Sequence, residues 1–263
     1  MMRESSHILA GLRKRVARLA ASGGPESRQA EGWLTTGQDA FDAALGGGLT
    51  AGRVHEFFAA DALDATSAAA FAALVALRTP DKAPLLWLRT ADAGRRTGHI
   101  YAPGIAELGG DPDRLLLVEA ADPRMLLACA NDAIRCPGSA AVIVESWGKF
   151  PALDLTAGRR LALGARAAGT TLLMLRLNAA PTPSVAETRW SVAATPSREL
   201  EAHAPGAPAF ELELLRWRAG PAGMQWRLDW NHDEQSFRDA ALSGALLPLA
   251  APRTAHPLGA AAA

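Results

Sequence analysis

Between residues 52 and 177, apolar runs of strand length alternate with segments of helical periodicity. That order limits the fold more than any other feature of the chain. A strand, a helical crossover and a further strand lie parallel in one sheet, and the helices must cover its faces. The runs fall at 52–59, 83–89, 114–120, 140–146 and 170–177. Helical patterns occupy 66–77, 100–108, 125–134 and 155–168. The spacing then changes. Strand patterns at 188–195, 210–218 and 223–230 follow shorter connections, and the last two are separated by AGPA, a hairpin-like spacing. The expected fold is α/β: a mostly parallel sheet flanked by helices, with an antiparallel C-terminal extension. The apolar fraction of 49% supplies the core such a sheet needs.

The two ends read differently. Residues 8–20 place Ile8, Leu12, Val16 and Leu19 on one helical stripe, opposite Arg13, Lys14, Arg15 and Arg18. Residues 21–30, ASGGPESRQA, read as a linker. At the other end, Phe237, Leu242, Leu246 and Leu247 suggest a short helix over 236–247, ahead of a low-complexity tail. The expected organisation is an N-terminal helix and linker at 1–30, a core at 31–235, and a short helix with a disordered tail at 236–263. A helix that short is not stable alone and must dock, on its own sheet or in a partner's groove. The candidate partner-binding residues are therefore Leu12, Val16 and Leu19 at one end, and Phe237, Leu242 and Leu246 at the other.

Charge excludes some roles. Lys plus Arg is 27 and Asp plus Glu is 27, so no bulk positive field attracts nucleic acid, and DNA contact is expected to be weak or indirect. The basic face of the N-terminal stripe carries too few groups for tight DNA binding at physiological salt. Cys129 and Cys136 form neither a zinc motif nor a disulfide framework. The six histidines, His7, His55, His99, His203, His232 and His256, lack ligand spacing, so no metal is expected. No apolar run reaches the length of a membrane span, and no signal peptide is evident, so a cytoplasmic protein is expected. Trp190, Trp217, Trp226 and Trp230 in the late strands read as a second hydrophobic layer of the sheet.

Residues 34–58, LTTGQDAFDAALGGGLTAGRVHEFF, resemble the entrance to a RecA-type recombinase core. Gly37, Asp42, Leu45, Gly46, Gly47, Gly48, Leu49, Gly52, Arg53 and Glu56 stand in that family's order. The likeness continues through 101–120, 140–147 and 170–177, and covers about residues 33–230. It breaks at the phosphate loop, GxxxxGK[ST], in which glycine amides wrap the phosphates and the lysine neutralises them. Ala59 stands at the first glycine, Asp64 at the second and Ala65 at the lysine; the hydroxyls of Thr66 and Ser67 remain. No lysine lies between Lys14 and Lys82. A carboxylate beside a phosphate charge costs about 3–4 kcal/mol at an effective dielectric near 20, and the lost lysine forfeits a comparable attraction. Glu145 keeps the charge of the family's magnesium-site acid. The family's catalytic glutamate is expected at about Arg89 or Thr90, and its sensor glutamine near Arg176–Asn178; neither residue type is there. The expectation is a RecA-like core with a degenerate phosphate loop, no cofactor and no ATP hydrolysis.

Residues 100–120, 153–176, 188–197 and 211–230 resemble the ImuA family in particular, RecA- and SulA-like members of bacterial mutagenesis cassettes. That resemblance implies a non-catalytic accessory in SOS-induced translesion DNA synthesis. The implied partners are an ImuB-like polymerase homologue, with RecA and an error-prone DNA polymerase as further candidates. RecA-type cores also pack an N-terminal helix on a neighbouring core, which the order of stripe, linker and core matches. Two other readings stay open: a SulA-like inhibitor of cell division, and a RecA-like ATPase with an atypical phosphate loop.

Overall fold

The computed structural model describes residues 32–240, apart from 80–82, 137, 202, 203 and 205. The elements, in chain order, are β1 (Trp33–Leu34), α1 (Asp39–Ala44), β2 (Leu49–Thr50), β3 (Val54–Ala59), α2 (Ala65–Leu77), β4 (Leu85–Thr90), α3 (Ala91–Thr97), α4 (Ala102–Glu107), β5 (Leu115–Ala120), α5 (Pro123–Ile134), β6 (Ala141–Trp147), α6 (Leu155–Ala168), β7 (Thr171–Leu177), β8 (Thr188–Ala194), β9 (Ala209–Trp217), β10 (Gln225–Asn231) and β11 (Ser236–Asp239). Strands β3 to β11 form one nine-stranded sheet in the order β11-β10-β9-β8-β3-β7-β6-β4-β5. The pairs from β8 to β5 are parallel, and those joining β8, β9, β10 and β11 are antiparallel. The α/β reading and its antiparallel C-terminal extension are therefore correct.

Local chemistry sets the helix ends. The Asp122 carboxylate accepts the Arg124 and Met125 amides ahead of α5, with Pro123 in the first turn. Asp154 accepts the Ala157 amide ahead of α6, which ends on Gly169 in the left-handed region. Helix α2, ATSAAAFAALVAL, is apolar around most of its circumference and is buried accordingly. Its Phe71 and Leu74 lie on one face of the sheet with Phe57, Trp87, Trp190 and Phe210. The other face carries Val54, Val142, Leu172 and Met174, covered by Leu126 and Ile134 of α5 and Leu161 of α6.

The Gly46–Gly48 run has a structural cause. All three glycines have positive φ, and a Cβ on Gly48 would lie 2.7 Å from the Leu34 carbonyl oxygen. Only glycine lets the chain turn there against β1. Asp42 in α1 holds the same corner, its carboxylate accepting from the Thr36 amide, the Thr36 hydroxyl and the Gly37 amide at 2.9–3.0 Å. This small corner unit, with Phe41 stacked at 5.4 Å on Trp190, was not anticipated as a helix. The tryptophan expectation holds for Trp190 and Trp230, both fully buried, while Trp217 and Trp226 pack on the cluster from its margin.

The C-terminal expectation needs correction. Residues 236–239 are a strand, not the start of a helix: β11 pairs antiparallel with β10, with Trp230 opposite Phe237. Phe237 is 1% exposed and packs on Phe71, Phe210 and Trp230, so it is a core residue and unavailable to a partner. The spacing of apolar residues suited a helix, but the ladder bonds of β10 and an aromatic pocket outweigh local propensity. Leu242, Leu246 and the tail, like the helix and linker at 1–30 with Leu12, Val16 and Leu19, lie outside the described residues.

One buried histidine belongs to this framework. The His55 Nε2 lies 2.9 Å from the Thr50 carbonyl oxygen, which can only accept, so Nε2 carries the proton. Nδ1 then accepts from the Thr188 hydroxyl at 2.7 Å, and that hydroxyl in turn accepts from Trp190 Nε1. Burial, with a smaller opposing effect of the Thr50 carbonyl and repulsion from Arg53, pushes the His55 pKa down to about 4. The unfolded chain, with an ordinary histidine near 6.5, therefore binds more protons between those values, and stability falls as pH drops through that window. The shift corresponds to about 3 kcal/mol. Urea melts at pH 7 and pH 4 should show a loss of that order in the native protein, beyond the loss in His55→Gln. Equal losses in both proteins would contradict this assignment.

Candidate functional site

The C-terminal ends of parallel strands are where open α/β sheets bind ligands. Here the connection leaving β3 holds the degenerate phosphate-loop positions. Ala59 ends β3, and the Ala60 amide donates to the Val192 carbonyl at 2.9 Å. A single 3₁₀ turn, Ala62–Asp64, follows and closes on itself. The Leu63 amide donates to the Asp61 carboxylate at 3.0 Å, and the Asp61 amide to the Asp64 carboxylate at 3.1 Å. The second Asp64 oxygen accepts the Ala194 amide, at the end of β8, at 2.8 Å. The Asp64 carboxylate thus takes two amides, those of Asp61 and Ala194, with a negative charge of the chain's own. Ala65 begins α2 and is buried at 5% exposure, so its methyl faces the core. The corner is a poor match for a triphosphate: the Asp64 carboxylate stands where a glycine amide would face phosphate, and no cation stands at the lysine position, although no side chain caps the first turn of α2.

Glu145 is equally committed. It is 1% exposed near the end of β6. Its Oε2 accepts from Trp87 Nε1 at 2.8 Å, and its Oε1 from the Thr97 hydroxyl at 2.6 Å. Arg89 stands at the position expected for the catalytic glutamate of RecA-type cores. It is 1% exposed; its Nε and one terminal nitrogen donate to Glu119 at 3.3 and 3.1 Å, and the other donates to the Gly98 carbonyl at 2.8 Å. Thr90 caps α3, accepting the Ala93 amide. Gly94 gives the Arg89 head its room, since a Cβ there would lie 2.8 Å from Cζ.

Thr66 and Glu145 do come together, on the wall of one cleft of about 240 Å³ between α2 and residues 97–108. Its other walls include Ala73, Leu77, Trp87, Arg89, Ile100 and Tyr101. Ser67 is half-buried on the same first turn of α2. Trp87, Arg89 and Thr97, which build the polar end of this cleft, were not anticipated as a group. The signal was present in APLLWLR, where an apolar run ends on a charge with a tryptophan two positions before it. Among the described residues no group of three or more His, Cys, Asp or Glu could hold a metal ion. Cys129 and Cys136 are not joined in a disulfide, and burial, followed by the charge of Asp132, pushes the Cys129 pKa up, which disfavours a reactive thiolate there. Among the described residues no helix is long and apolar enough to cross a membrane.

No family model matches the chain. Among curated proteins, it is similar to the ImuA proteins of two strains of Caulobacter vibrioides, NA1000/CB15N and ATCC 19089/CB 15. Each is 32% identical over 206 residues, covering 72% of this chain and 80% of the relative. Among solved structures, it is similar to the RadB recombinase, with a TM-score of 0.51 at 15% identity, covering 79% of this chain and 100% of that one.

Proposed function

Because the chain belongs to the ImuA family and folds like a recombinase core, we propose that it is a non-catalytic adaptor in translesion DNA synthesis, binding an ImuB-like polymerase homologue. RecA and an error-prone DNA polymerase are further partners on this reading, in the cytoplasm. The observation that carries it is the Asp64 carboxylate, held by the amides of Asp61 and Ala194, which puts a negative charge in the connection where a nucleotide-binding member of the fold presents amides to phosphate. Glu145, hydrogen-bonded through both oxygens to Trp87 and Thr97, supports it as well. A core that has given up its nucleotide site keeps its fold for the surfaces it presents.

The test uses the full-length protein. Magnesium–ATP should give no thermal shift, and the double variant Asp64→Gly, Ala65→Lys should not gain hydrolysis, because Arg89 and Thr90 stand where a glutamate would be needed. Saturable magnesium–ATP binding at micromolar affinity overturns the non-catalytic reading. A purified ImuB-like protein should be captured, and the capture lost on changing Leu12 and Val16 to Asp. Capture of the division tubulin homologue instead overturns the adaptor reading in favour of a SulA-like inhibitor.

A further inference from the structure

On the α6 face of the sheet, beside the loop after β7, three charged residues are buried together. Glu56 is 3% exposed, Arg176 4% and Arg189 8%. Glu56 Oε2 accepts from Arg189 Nε at 2.7 Å, and Arg189 also donates to the Thr182 carbonyl. Arg176 has neither a hydrogen bond nor an ion pair among the described residues, and its Nε is fully buried. Its guanidinium lies against the Phe58 ring, 5.9 Å from the centroid, within electrostatic reach of Glu56 and Arg189. Glu56 is hydrogen-bonded to one of the two buried guanidiniums and acts on the other only through its charge, so the three side chains together keep one net positive charge. Such a charge is tolerated in a core only with a counter-ion or full hydrogen bonding.

The space beside Arg176 points to the missing partner. Glu56, Met174, Arg176, Thr182, Ser184 and Val185 help line a cavity of about 20 Å³. That holds about one water-sized body and is too small for a phosphate or a carboxylate with its carbon stem. Asp154 also lines it, but its Oδ1 is committed to the Ala157 amide and its side chain is exposed. We propose that this cavity is a binding site for a single small monovalent anion of chloride size, held by Arg176 and bracing residues 182–186 against β7. Burial lowers the Arg176 pKa, with Glu56 opposing and Arg189 adding to that effect. The proposal is independent of the adaptor reading.

Crystals of the full-length protein soaked in bromide should show an anomalous peak within hydrogen-bonding distance of Arg176 Nε. In solution, exchanging gluconate for chloride at constant ionic strength should raise the melting temperature. The rise should reach about 3–6 °C when chloride is tenfold above its dissociation constant. Arg176→Met should remove that rise, because the methionine needs no counter-ion. A wild-type crystal without the peak, or an equal chloride response in a folded Arg176→Met protein, overturns the site and leaves a water in the cavity. The crystal measurement decides the matter even if the variant does not fold.

Discussion

Phe237→Ala should lower the unfolding free energy by about 3–5 kcal/mol, the range for emptying a well-packed aromatic site. The ring lies 5.1 Å from Phe71, 6.0 Å from Phe210 and 5.0 Å from Trp230, centroid to centroid, and closes the far end of the sheet. The melting temperature should fall on the order of 10 °C. Deleting 236–263 should do at least as much damage, since it also removes the hydrogen bond from the Phe237 amide to the Thr36 carbonyl at 2.9 Å. The Gln38 side-chain bond to Asp239 at 3.0 Å goes with it. A truncated protein that melts like the full chain would contradict the packing of β11. This outcome is opposite to the one expected of a terminal helix that docks on a partner.

Glu56→Ala should be comparably severe, at about 3–5 kcal/mol. The substitution removes the only carboxylate paired with Arg189 among the described residues and leaves two guanidiniums buried beside each other. The cost comes from stranding charge, and only secondarily from losing one ion pair. Removing both members of the pair should therefore hurt far less: Glu56→Leu with Arg189→Met should recover most of the loss, because a hydrophobic pair of similar volume needs no solvation. Chemical denaturation of the three proteins separates the two explanations. A double variant as unstable as Glu56→Ala would mean that the packing of these side chains, and not their charge, carries the stability.

Most of the architecture was legible along the chain because strand and helix periods are local. The pattern at 155–168 is α6, and the runs at 114–120 and 170–177 each differ by one residue from β5 and β7. The hairpin spacing of AGPA gave the antiparallel pairing of β9 with β10. The identities of Asp64 and Ala65 were likewise enough to argue, on charge alone, against a phosphate site at the start of α2.

What the chain could not disclose is where its polar groups end. Asp64 caps the Ala194 amide 130 positions away, and Glu145 receives Trp87 from a neighbouring strand 58 positions back. Arg89 finds Glu119 only because β4 and β5 pair with those two residues in register. Phe237 becomes core for the same reason: β10 sets its register opposite Trp230, which carries it into the aromatic pocket under α2. A one-residue change of register would send every such side chain to the other face. Periodicity along the chain selects the elements, because each turn of helix or pleat of strand is made by neighbours in sequence. Strand order and register are chosen by all the elements packing at once, so they alone decided which charges are paired, which corner amides are capped, and which guanidinium is left facing a cavity.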